Sequence, residues 1–238
     1  MFETLGSLIG SAFCLKGLAL LCSGHFQLSV TMSRLTFSDR SSAGVPRVWV
    51  IGHSFITRHG LAVRDLLWSM GMRASFSFNA RGGAHVHDLS SFAHQLALRS
   101  VPRVVMCHIG DNDVMLLSPV ALTSALLAVC DWLSFAFDCH VLLIPLHPRG
   151  GSSADCPRYN RRAIRCNHHL AAACRTRPWL SIATVRTGLP SSGGYRGFNP
   201  GSERRGMDRS GVHLTGGHAR RYELALAHVL FDLMSRLD

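Results

Sequence analysis

From Arg47 onward, short apolar runs alternate with longer stretches in which apolar residues return every three or four positions. Continuous apolar runs suit strands buried on both faces, and a three-to-four-residue period marks helices with one apolar side. RVWVI (47–51) therefore predicts a first strand, and 56–70 a helix with Val63, Leu66, Leu67 and Met70 on one face. Residues 75–78 predict a short second strand, 86–99 a helix, and RVVMCHI (103–109), introduced by Pro102, a buried third strand. A helix over 119–137, a strand at HVLLIPL (140–146), a helix over 158–174 and a strand at WLSIATV (179–185) continue the alternation. The closing helix, 217–237, is strongly periodic: Tyr222, Leu226, Val229, Leu230, Leu233 and Leu237 share a stripe.

Strands alternating with helices, without an internal repeat, predict an α/β protein: a flavodoxin-like three-layer α/β/α sandwich around a central parallel sheet. Such sheets take their ligands at the carboxyl ends of the strands. A chain of 238 residues holds one substantial core and is short for two enzyme domains. The expected organisation is an N-terminal tail over 1–45 and one domain over 46–238. Within the tail, the apolar run at 5–23 is a poor signal sequence, because Lys16 falls in its middle and the leader carries Glu3 and no basic residue. A mid-span charge also costs a membrane helix roughly 2.5–3.5 kcal/mol. No integral membrane span is expected, a cytoplasmic address is slightly favoured over a secreted one, and Met32 is a candidate start.

Composition narrows the class further. With 47% hydrophobic and 16% charged residues, the chain is globular rather than intrinsically disordered. The eight cysteines form no C-x-x-C pair, which argues against a zinc module and a disulfide scaffold and predicts mostly buried thiols. The net charge of +11 is almost wholly arginine, Lys16 being the one lysine. Guanidinium forks suit phosphates and carboxylates, so an acidic substrate or a polyanion such as nucleic acid is a candidate partner, and a bias of composition toward arginine explains the charge equally well. Arg158, Arg161, Arg162 and Arg165 form a stripe on a predicted helix, and Arg196, Arg204, Arg205 and Arg209 a second group.

The chemistry-bearing residues follow strands. The first strand ends in Gly52-His53-Ser54, which sets a hydroxyl at a strand-to-helix turn where the helix N-terminus favours developing negative charge. A helix N-cap is the ordinary role of a serine in that place. The second strand runs into Arg81-Gly82-Gly83, and the third into Gly110-Asp111-Asn112-Asp113, with Asp113 expected to cap the next turn. A glycine N–H and a side-chain amide on one rim are the neutral donors that an oxyanion needs. His213, in GVHLT before the last helix, supplies the base without which a serine hydroxyl is a weak nucleophile. His147 ends the fourth strand on the same rim, and neither His85 with His87 nor His168 with His169 makes a compact ligand set, so no metal or cofactor is expected.

Gly-x-Ser, a glycine turn, Gly-x-Asn-Asp after a strand and a histidine before a C-terminal helix together resemble the SGNH (GDSL-type) hydrolase superfamily, from about Arg47 to the end. GDND (110–113) is the best match and GHSF (52–55) the next. The resemblance implies an ester hydrolase acting on acyl or acetyl esters. Ser54 is then the nucleophile and His213 the base, and Gly83 (Gly82 less so) and Asn112 join the Ser54 N–H in the oxyanion hole. Two departures stand out. His53 replaces the aspartate of the Gly-Asp-Ser pattern, and Ser210 stands where the family has its acid, three residues before the base. The nearest carboxylate is Asp208, five residues before His213. Loss of the acid lowers turnover by about 10⁴-fold, so two readings stay open: an esterase using Asp208 or a Ser-His dyad, and a weak or inactive domain that binds nucleic acid or another polyanion. Similar domains within the coding frames of some LINE retroelements add nucleic acid to the candidate partners.

Overall fold

The computed structural model describes residues 45–150, 155–183, 207–208 and 210–237. The tail over 1–44 and Arg196, Arg204, Arg205 and Arg209 lie outside the described residues. Among the described residues, strands β1 (Arg47–Gly52), β2 (Ser75–Ala80), β3 (Val104–His108), β4 (His140–Leu143) and β5 (Leu180–Ile182) form one sheet in the order β2-β1-β3-β4-β5. Every pairing is parallel. Helices α1 (Ser54–Ser69), α2 (Asp88–Ala97), α3 (Pro119–Phe137), α4 (Cys156–Cys174) and α5 (Gly216–Leu237) cover both faces.

The apolar strand runs are explained by burial on two sides. In β1, Val48 and Val50 face a core built with α1 and α5, while Trp49 and Ile51 face one built with α2, α3 and α4. The α5 stripe seats Tyr222, Leu226, Leu230 and Leu233 in the first of these cores. One described helix, α3, is long and apolar enough to cross a membrane by length and composition. Its Leu122, Leu126, Cys130 and Leu133 belong to the second core, which accounts for the composition.

Several boundaries differ from expectation. Strand β4 ends at Leu143 rather than 146, because Pro145 has no N–H to continue the ladder after Ile144 donates to Cys107 O (2.8 Å). Strand β2 runs on to Ala80, held by its register with Gly52. Helix α1 starts at Ser54 rather than 56, a shift that bears on the site. On α4, Arg158, Arg161 and Arg165 are exposed, but Arg162 folds inward and donates to the Val114 (2.7 Å) and Leu117 carbonyls. It anchors a turn and leaves the basic stripe. Cys107, Cys130, Cys139 and Cys166 are buried free thiols, and burial pushes Cys107 up to about 12.

Candidate active site

The chain reverses its direction of winding between β1 and β3, so the crevice of the sheet opens beyond their carboxyl ends. Ser54 sits there, in the first turn of α1. Its position depends on Gly52: a Cβ there would lie 2.0 Å from His108 O, and its φ of +153° lies outside the range side chains favour. The cap of α1 is His53, whose Nδ1 accepts from Phe55 N at 3.4 Å. The ordinary capping role is therefore not Ser54's, and its hydroxyl turns to His213 instead, with Oγ 2.9 Å from Nε2.

His213 and Asp208 face each other across one short turn. Met207 and Leu214 pair as an antiparallel bridge, Asp208 N donates to His213 O (2.8 Å), and Gly211 N donates to Asp208 O (2.9 Å). This folding brings the carboxylate of Asp208 to 3.2 Å from His213 Nδ1 despite the five-residue spacing. Ser210, in the position where the resemblance places an acid, donates its backbone N–H (3.1 Å) and its hydroxyl to Asp208 Oδ1. Burial pushes the Asp208 carboxyl up, but the Ser210 hydroxyl and the His213 backbone and ring outweigh it and hold it down at about 2. For His213, burial lowers the imidazole pKa, the Arg58 charge pushes the same way, and Asp208 opposes both. The balance leaves a neutral base at pH 7 beside an ionised acid.

Asn112 shares the cleft with Ser54, and its Nδ2 donates to Ala84 O (2.8 Å), which leaves one amide hydrogen for a ligand. Gly83 precedes Ala84 in the turn after β2 at φ +74°, next to this latch but not among the cleft walls. Asp113 does not cap the following turn as expected. Its carboxylate instead pairs with His85 Nδ1 (2.9 Å) and accepts from Val86 N (3.1 Å), so it fastens the glycine loop to the end of β3.

Beneath Ser54 lies a buried polar network that the sequence did not announce. Asp111 Oδ2 is 2.8 Å from His53 Nε2 and 3.4 Å from His108 Nε2, while Oδ1 accepts from His147 N (2.8 Å) and Tyr159 Oη (3.1 Å). Tyr222 Oη meets His108 Nδ1 at 3.1 Å. Burial pushes the Asp111 carboxyl up, but His53 and His108 hold it well below the usual carboxylate range, and burial pushes His108 down to about 4 and His147 down to about 3. Facing atoms of His53, His108 and Asp111 lie within 4.8 Å of one another, the one described group with metal-ligand spacing. The direct His53–Asp111 bond already joins two of the three. His53 Nδ1 also lies 3.5 Å from Ser54 Oγ, so the hydroxyl has an imidazole on each side. A histidine beside a serine and an aspartate at a strand end were the available signals, masked by the stronger match of their neighbours Ser54 and Asn112. His147 lines the cleft on the expected rim, and Arg149 and Tyr159 join it unforeseen.

The chain has the three-layer α/β fold of SGNH (GDSL-type) hydrolases. Solved structures with this fold include a member of the lipolytic G-D-S-L family from Veillonella parvula, at 14% identity and TM-score 0.59, covering 81% of this chain and 100% of that one. A GDSL-like lipase from Bacteroides thetaiotaomicron matches at 15% identity and TM-score 0.58 over 79% and 88% of the two chains. A lipase/acylhydrolase from Enterococcus faecalis matches at 14% and 0.58, over 79% and 97%. No protein-family profile and no curated protein matches the sequence.

Proposed function

We propose that this protein is a serine hydrolase of carboxylic esters, acting on acyl or acetyl esters. The observation that carries the reading is the chain of contacts from Ser54 Oγ to His213 Nε2 (2.9 Å) and from His213 Nδ1 to Asp208 (3.2 Å). His213 Nε2 takes the proton as Ser54 Oγ bonds to the ester carbonyl carbon, and the carbonyl oxygen becomes an oxyanion. The Ser54 N–H at the start of α1 and the remaining Asn112 amide hydrogen receive that charge, and the Gly83 N–H is the third donor that the family resemblance implies. His213 then protonates the departing alkoxide as the ester C–O bond breaks. Water, deprotonated by the same nitrogen, releases the acid and restores Ser54. Asp208 keeps the imidazole tautomer with its proton on Nδ1, and its contact supports a re-sited acid rather than a missing one.

A fluorophosphonate probe tests the reading. Wild-type protein is expected to be labelled and to cleave a short p-nitrophenyl ester, and Ser54→Ala and His213→Ala to do neither while remaining folded by circular dichroism. Labelling that survives Ser54→Ala would refute the assignment. A folded wild type that takes no label would favour the polyanion-binding reading, for which Arg158, Arg161 and Arg165 remain exposed.

A further inference from the structure

The cleft at Ser54 holds an arginine for which the proposed chemistry has no use. Arg149 follows β4 in the loop His147–Gly150, and its backbone is clamped by Asn160, which accepts from Arg149 N (2.7 Å) and donates to Arg149 O (2.8 Å). The next residue ties this loop to the base, since Gly150 N donates to Gly211 O (2.9 Å) within the turn that carries His213. The guanidinium carbon lies 4.2 Å from the centre of the Tyr159 ring, which fixes the plane of the fork. That ring is itself held by its hydroxyl's bonds to Asp111 and to His147 O.

So much positioning leaves the cation poorly satisfied. Among the described residues its guanidinium reaches the backbone oxygen of Asp111 over a long 3.4 Å and bears on the Tyr159 hydroxyl, and its Nε is buried without a hydrogen-bond partner. Among the described residues it pairs with no carboxylate, whereas Arg58, Arg64, Arg81, Arg177 and Arg220 each do. It is not the counter-ion of Asp111 either, whose carboxylate is occupied by His53, His108, Tyr159 and the His147 N–H. Arg149 lines the cleft together with Ser54 and Asn112, and a planar fork held there matches the paired oxygens of a carboxylate or phosphate.

We infer that Arg149 forms an anion subsite beside Ser54, so the preferred substrate is an ester that also carries a carboxylate or phosphate near the scissile carbonyl. This rests on the ester hydrolase reading and narrows it. The test compares mono-p-nitrophenyl glutarate with its neutral methyl ester. Wild type is expected to favour the anion by about tenfold or more in kcat/KM, mainly through KM. Arg149→Met should collapse that ratio, and Arg149→Lys should restore part of it. Competitive inhibition by free glutarate and by inorganic phosphate separates the two anion chemistries. Equal kcat/KM for both esters, each dependent on Ser54, would overturn the subsite and leave the hydrolase intact. If neither ester is cleaved, the hydrolase reading fails and the subsite is read by calorimetry on Ser54→Ala. Glutarate or phosphate binding that Arg149→Met removes would uphold the subsite, and no binding would overturn it.

Discussion

In the proposed reaction, Asp208 and Ser210 divide between them the part that the family resemblance gives to one residue. The carboxylate that faces His213 belongs to Asp208, and the Ser210 hydroxyl donates to it, which helps hold its pKa down and fixes its direction. Asp208→Asn should therefore lower kcat toward short p-nitrophenyl esters by about 10⁴-fold, since an amide leaves the wrong imidazole tautomer. Ser210→Ala should cost tenfold or less, because one of several bonds to the carboxylate is lost. Similar losses in the two variants would contradict this division. Arg58, 3.8 Å from Asp208, contributes to the pH dependence expected of the proposed reaction. As the proposed base, His213 must be neutral; its pKa is already pressed below the usual 6.5 by burial, and the Arg58 charge presses the same way. Activity should thus fall as pH drops through that lowered value. Arg58→Gln removes a cation that disfavours imidazolium, so the acid limb should move to higher pH, less so in high salt. An unmoved limb at low ionic strength would show that Arg58 does not act on the base. Ser54, Asn112 and His213 are legible in the sequence because each abuts a strand end or a helix start. Arg58 and Arg149 are not, because nothing but folding distinguishes them among the other arginines.

At the scale of elements, the strand-helix alternation is legible and the ends are less so. Periodicity reports which face is buried and is silent about where hydrogen bonding stops. Pro145 cut β4 short and the His53 ring drew α1 back to Ser54, two local effects that no hydrophobic pattern carries. The junction of β1 and α1 is the tightest of these features. A methyl group at position 52 meets a backbone oxygen of the neighbouring strand, which cannot move without breaking the pairing of Gly52 with His108. Gly52→Ala should destabilise the protein by about 3 kcal/mol or more, read as a lowered urea midpoint. A midpoint within error of wild type would mean that β1 and β3 can separate at their ends. The register also places the β1 and β3 termini side by side, so the site is assembled by pairing residues 56 apart in the chain.

For the whole molecule, the buried network joins both layers to the sheet: α5 through Tyr222, α4 through Tyr159, the β1–α1 junction through His53 and β3 through His108. His108 and His147 are neutral in the fold, with values pressed to about 4 and about 3, and both take up protons near 6.5 when unfolded. The unfolded chain therefore binds more protons over that interval, so stability is full above 6.5 and declines as pH falls toward 4. Asp111, depressed in the fold, adds stability above its unfolded value of 3.8 that is lost below it. Urea midpoints should drop steadily from pH 7 to pH 4, and less steeply in His108→Gln. A flat profile would mean that these rings are solvated in the native state. Periodicity places His108 in a buried strand and Tyr222 on a buried stripe, but it does not show that their polar atoms meet around Asp111.

Backbone bonds between Met207 and Leu214 and between Asp208 and His213 hold the Asp208 carboxylate and the His213 imidazole as a single unit. The carboxylate can then change its address in the sequence without changing its place in space. A signature written as a fixed count of residues between the two passes over such a chain, whereas a signature written as a distance between atoms does not.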